Sequence, residues 1–150
     1  MKLSNLIEED LMGFDLQSSS KDDVIKELVE LAARSKLVRD KSLLLDEVQK
    51  REKLVTTGVG WGVAFPHAKT KAMKGIVITF GRSDKGVDFG AMDQKPVHLF
   101  FLIAAPEDTI GAHLNVMARL SFLMKSQDNR ERLLAARNPG EVLEVLDSLD

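Results

Sequence analysis

Hydrophobic positions recur at helical spacing from Val24 onward: Val24, Ile25, Leu28, Val29, Leu31 and Ala32 form one stripe. Ser20, with Asp23 three residues on, resembles a capping box. The pattern predicts a first helix from about Lys21 to about Ser35. A second, from about Asp40 to about Lys53, carries Leu44 and Val48 on one stripe and Arg51 a turn further on, near a C-terminus that favours cations. Ile76–Phe80 reads as a strand, and Val97–Ile103 as a buried central strand because both its faces are apolar. Gly81–Gly86 and Ala91–Pro96 read as turns. Gly111–Lys125 is predicted helical, with Leu114, Met117, Ala118 and Phe122 on its apolar side. Two short helices follow, the last opened by Asn138-Pro139-Gly140-Glu141, which joins a good N-cap to proline at the first helical position. This order predicts an α/β or α+β domain over 1–150, built as three layers with a central mixed sheet flanked by helices. No repeat or interdomain linker interrupts it.

Composition narrows the chemistry. A hydrophobic content of 44% over 150 residues suffices for one core. The net charge of −2, from 21 basic and 23 acidic residues without a long single-sign block, offers nothing to nucleic acid or an anionic membrane, so partners are expected to be proteins or small molecules. Without cysteine there is no disulfide, thiolate zinc site or cysteine nucleophile, and the three histidines become the leading candidates. The first ten residues lack the apolar core of a secretion signal, and the longest apolar run, Leu99–Ala105, is too short to cross a bilayer. A cytoplasmic protein without membrane insertion is expected.

Among the histidines, His67 stands out. Pro66 fixes its own φ and pushes Phe65 toward extended backbone, so His67 is expected at a strand end rather than inside a helix, where a histidine is available for chemistry. The preceding run Thr57-Gly58-Val59-Gly60-Trp61-Gly62 fits neither nucleotide motif. A dinucleotide fingerprint would need glycine where Val63 stands, and no Gly-Lys-Ser or Gly-Lys-Thr follows. It is either an anion-binding loop or a tight turn. His98, in an apolar strand, reads as a satisfied core histidine, and His113 lies just inside a helix start, where the dipole favours the neutral ring. Convergence of His67, His98 and His113 on a metal is the competing arrangement, although no His-x-His or His-x-x-x-His spacing supports it.

The residues also carry a family resemblance. Arg51-Glu52, Thr57-Gly58-Val59-Gly60 and Gly62-Val63-Ala64-Phe65-Pro66-His67-Ala68-Lys69-Thr70, followed by Gly86-Val87-Asp88-Phe89, Lys95-Pro96-Val97-His98-Leu99, Ala104-Ala105-Pro106-Glu107 and His113-Leu114, resemble the fructose/mannitol-type IIA component (EIIA type 2) of the bacterial phosphoenolpyruvate:sugar phosphotransferase system. The resemblance covers nearly the whole chain. It implies a phosphotransferase in which His67 takes a phosphoryl group from the phosphohistidine of HPr and passes it to a cysteine of an EIIB domain, here on a separate chain, with Arg51 and His113 assisting. It implies no cofactor and no metal. Trp61 replaces a usual asparagine and is expected at the rim that meets a partner; Ala68 replaces a usual glycine. The nitrogen-type IIA regulator, which acts by phosphorylation-dependent protein binding, shares the resemblance. The block Val97–Glu107 is more like the sugar-transport branch.

Overall fold

The computed structural model describes residues 2–149. A six-stranded mixed sheet runs in the order β1-β5-β6-β3-β2, with β4 also paired to β6. Its strands are β1 (Met12–Gly13), β2 (Gly58–Gly60), β3 (Val63–Ala64), β4 (His67–Lys69), β5 (Val77–Val87) and β6 (Val97–Ala105). β3 and β4 lie parallel to β6, and β5 antiparallel to it. Helices α1 (Lys21–Ala32) and α2 (Lys41–Leu54) cover one face; α3 (Gly111–Met124), α4 (Gln127–Ala135) and α5 (Pro139–Leu146) cover the other.

Strand alternation divides the core in two. Phe100, Leu102 and Ala104 pack toward Val24, Leu28 and Leu44, whereas Leu99, Phe101 and Ile103 pack toward Val116, Leu120 and Val145. Burial on both sides is the reason for the unbroken apolar run in β6. The result is the three-layer α/β arrangement predicted from the element order.

Local signals set the helix starts. Ser20 accepts from the Asp23 N–H at 3.3 Å, Asp40 from Leu43 at 3.0 Å and Asn138 from Glu141 at 3.0 Å, each a side-chain N-cap. Helix ends differ from expectation by a few residues: α1 stops at Ala32 rather than near Ser35.

Two predicted features are corrected. Gly81–Gly86 is no turn between strands, because β5 continues to Val87. From Arg82 to Val87 β5 advances five residues while β6 moves only from Leu99 to Val97, so the excess is accommodated as a bulge, with Gly86 at φ +85°. Gly81 serves close packing instead, since a Cβ there would stand 2.7 Å from Leu28 Cδ2. In α3, the buried face is His113, Val116, Leu120, Leu123 and Met124; Leu114 (68% exposed) and Phe122 (63%), assigned to the apolar side, face outward together with Ala118, and Met117 is half-buried. The helix carries two apolar stripes, and the packing of α3 on the sheet selects the other one.

Candidate active site

The Phe65-Pro66 dipeptide interrupts what would otherwise be one strand. Phe65 N–H bonds back to Thr57 O at 3.0 Å, Pro66 O accepts from Ile103 N–H at 3.0 Å, and pairing with β6 resumes at His67 opposite Ile103. His67 therefore opens a short strand near the carboxyl end of β6, the end where open α/β sheets place their sites. Ala68 points into the α1/α2 core, so its neighbours His67 and Lys69 share the opposite face of β4.

The chain then leaves β6 and enters α3, whose third residue, His113, returns to His67. The two rings lie 5.4 Å apart, centroid to centroid, tilted by 49°. Residues Glu47, Lys50, Arg51 and Leu54 of α2 complete a cavity of about 480 Å³ around His67, Lys69 and His113. The structure thus brings together Arg51, His67 and His113, which sequence reasoning singled out.

The ring states follow from the surroundings. His67 Nδ1 lies 2.9 Å from Phe65 O. A carbonyl can only accept, so Nδ1 carries the hydrogen and Nε2 keeps its lone pair. Desolvation, with a smaller contribution from the Arg51 guanidinium, holds the His67 pKa below 6.5 against the opposing pull of the Phe65 bond and of Glu52. His113 is 5% exposed. Burial first, then the nearby His67 and Lys69, lowers its pKa from 6.5 to about 4, so this ring is neutral at pH 7. Its Nε2 is buried without a hydrogen-bond partner, an unused polar atom beside the nucleophile.

Arg51 lies in the last turn of α2, where its Nη1 donates to Val55 O at 2.9 Å, leaving the rest of its fork of donors uncommitted among the described residues. Its neighbour Glu52, also 5% exposed, holds the loop that follows. Its carboxylate accepts from Thr57 N–H at 2.9 Å and from Thr57 Oγ1–H at 2.5 Å, and pairs with Lys21 Nζ of α1 at 2.8 Å. Sequence reasoning counted Glu52 and Lys69 in the family pattern but gave neither a role at the site. Lys69 was discoverable from its position two residues beyond His67 on a strand; the burial of Glu52 depends on α1, which no local pattern reveals.

Two candidates lie elsewhere. His98 stands near the start of β6, its Nδ1 2.8 Å from Ser83 O, five residues and so about 16 Å along the strand from the position that pairs with His67. The three histidines do not converge, and no group of three or more metal-ligating side chains forms among the described residues. The glycine-rich run is a hairpin turn: Trp61 (φ +58°) and Gly62 (φ +74°) both have the positive φ that a type I′ turn between β2 and β3 needs. It does not line the His67 cavity. Trp61 is 56% exposed, with Arg130 over its ring at 5.4 Å, and also stands outside that cavity. No helix among the described residues is long and apolar enough to cross a membrane.

The sequence model of a protein family described as "Phosphoenolpyruvate-dependent sugar phosphotransferase system, EIIA 2" matches residues 5–149. A fructose-specific EIIA component of Haloferax volcanii is 37% identical over 144 residues, covering 96% of this chain and 94% of the relative. The fructose-specific EIIABC component of Bacillus subtilis is 33% identical over 150 residues, and the chain spans 24% of its length. A nitrogen regulatory protein of Bradyrhizobium diazoefficiens is 35% identical over 146 residues, covering 97% of this chain and 95% of the relative. Among solved structures, the nitrogen regulatory protein IIA-Ntr of Neisseria meningitidis superimposes with TM-score 0.89 at 30% identity, covering 96% of this chain and 98% of that one. The mannitol enzyme IIA of Escherichia coli, solved with phosphorylated enzyme IIB, has TM-score 0.79 at 23% identity, with 94% and 98% covered, a likeness of fold.

Proposed function

We propose, from the premise that the chain belongs to the EIIA type 2 family of the phosphoenolpyruvate-dependent sugar phosphotransferase system, that it carries a phosphoryl group on His67 Nε2 between HPr and an EIIB domain of a fructose- or mannitol-type system. The observation that carries this reading is the hydrogen bond from His67 Nδ1 to Phe65 O, which leaves Nε2 unprotonated on a ring 5.4 Å from that of His113.

The step balances simply. The Nε2 lone pair forms the new N–P bond as the N–P bond of the HPr phosphohistidine breaks, and that electron pair returns to the donor imidazole. Each ring keeps its other nitrogen's hydrogen throughout. Onward transfer repeats the exchange with the acceptor thiolate as nucleophile. These 150 residues contain no cysteine, so the acceptor lies outside them, as it does in the Escherichia coli mannitol IIA–IIB complex.

In-line phosphoryl transfer requires positioning and charge stabilisation more than covalent chemistry. The Arg51 fork matches phosphoryl oxygens, and a neutral His113 donates a single hydrogen without adding a second cation at the nucleophile. The lowered His67 pKa keeps the nucleophile neutral at cellular pH.

A second reading, a nitrogen-type regulator that binds targets according to its phosphorylation state, is favoured by the Bradyrhizobium and Neisseria likenesses. Both readings share the same phosphorylation. Incubation with enzyme I, HPr and phosphoenolpyruvate is expected to label wild-type protein once, with an acid-labile, base-stable bond, and to leave His67→Ala unlabelled; full labelling of the variant would refute the assignment. Passage of the label to an EIIB domain then separates the carrier from the regulator.

A further inference from the structure

We propose that Lys69 is a phosphoryl-contacting residue, a third donor that acts beside Arg51 and His113 on the group carried by His67. The proposal rests on the phosphoryl-carrier reading and adds to it a residue which that reading does not require.

Strand geometry supplies the first argument. β4 is only His67-Ala68-Lys69, and Ala68 is buried in the α1/α2 core, so alternation places the side chains of residues 67 and 69 on one face about 7 Å apart along the strand. Both line the same cavity as His113, at whose floor the buried Ala68 between them also sits. A lysine side chain, with four methylenes, spans that separation.

Charge supplies the second. The cavity is lined by three cations, Lys50, Arg51 and Lys69, and one carboxylate, Glu47. Lys50 is paired with Asp46 at 3.3 Å, and the next lysine along, Lys71, with Glu107 at 3.9 Å. The Lys69 side chain has neither an ion pair nor a hydrogen bond among the described residues. With Lys50 offset by Asp46, Arg51 and Lys69 against Glu47 leave an excess of one positive charge, which favours an anionic phosphoryl group. Without such a group the cations oppose one another, and Lys69 together with His67 depresses the protonation of His113.

The third is stoichiometric. A phosphoryl group in transfer exposes three equatorial oxygens. Arg51 from α2, His113 from α3 and Lys69 from β4 approach from three different elements, so each can serve a different oxygen. The lysine differs from the other two in being flexible and exposed, able to follow the group as partners exchange.

The test uses two donors on the full chain, phospho-HPr and the small molecule phosphoramidate, with wild type, Lys69→Gln and Lys69→Arg. Contact with the phosphoryl group itself slows Lys69→Gln by roughly 10- to 100-fold with both donors, the range for loss of a hydrogen bond to a charged group. Lys69→Arg stays within about threefold of wild type. In Lys69→Gln the midpoint of the His113 NMR titration moves up, because a neighbouring cation is gone. Slowing confined to phospho-HPr, or a change only in its half-saturating concentration, would overturn the proposal by placing Lys69 against the carrier. Wild-type rates in Lys69→Gln with both donors would overturn it as well. If neither donor labels wild-type His67, the carrier reading fails first.

Discussion

The carbonyl oxygen of Phe65 accepts a hydrogen bond from His67 Nδ1, 2.9 Å away, across only the intervening proline. The sequence neighbour that shapes the backbone of the nucleophile therefore also sets its tautomer. Phosphorylation is expected at Nε2 alone. Nitrogen-15 NMR of the labelled protein checks this, since substitution on Nε2 and on Nδ1 gives different ring couplings; an Nδ1 adduct would contradict the tautomer.

Arg51 and His113 are expected to assist without being indispensable. Arg51→Ala and His113→Ala should each slow rapid-quench transfer from phospho-HPr by about 10²–10³, as for loss of one preorganised donor, while His67→Ala abolishes it. Arg51→Lys should recover only part of the loss, because an ammonium lacks the planar fork. Wild-type rates in both alanine variants, with folding verified, would remove these residues from the site.

The pH dependence has a definite sign. Burial places the His67 pKa below 6.5, so phosphoramidate labelling should hold level as pH falls through 6.5 and decline only lower. For stability, His113 titrates at about 4 in the folded chain against an ordinary 6.5 unfolded. Between those values the unfolded state binds more protons, so the contribution is full above about 6.5 and is lost as pH falls toward 4. Urea midpoints measured across this window should fall less steeply for His113→Gln than for wild type.

Arg82 anchors the α4 end to the sheet. Its Nη1 donates to Leu133 O at 3.0 Å and Ala136 O at 2.6 Å, and its guanidinium lies 5.3 Å from the Phe14 ring centroid. Arg82→Ala removes the side-chain donor from Ala136 O and leaves Leu133 O only its bond from Ala136 N–H, and should cost about 1–3 kcal/mol in urea unfolding, with little change in phosphorylation of the folded protein.

The Glu52 clamp predicts an asymmetry. Glu52→Ala leaves both donors of buried Thr57 without their acceptor and should cost about 2–3 kcal/mol, the range for unmet buried polar groups. Lys21→Met removes a cation that is itself partly exposed and leaves Glu52 bonded to Thr57, so thermal denaturation should show a smaller loss.

What the amino-acid sequence determined by itself is what depends on neighbours in the chain. Ser20, Asp40 and Asn138 cap the helices that their positions announced, because an N-cap is satisfied within three residues. The doubly apolar run in β6 announced a central strand, and Pro66 announced the break before His67. Residue types at family spacing marked Arg51, His67 and His113. Only the tertiary structure decided which apolar stripe of α3 faces the core, since Leu114–Phe122 and Val116–Leu123 are both hydrophobic and the sheet chooses between them. It also turned the apparent turn at Gly81–Gly86 into a bulged strand, because the glycine there answers Leu28, a residue of α1. The same holds for chemistry. The lowered pKa of His113, the buried Glu52 and the cavity that Lys69 enters arise from desolvation and charges contributed by α1, α2, β4 and α3 together, and burial is a property of packed elements that no single segment carries.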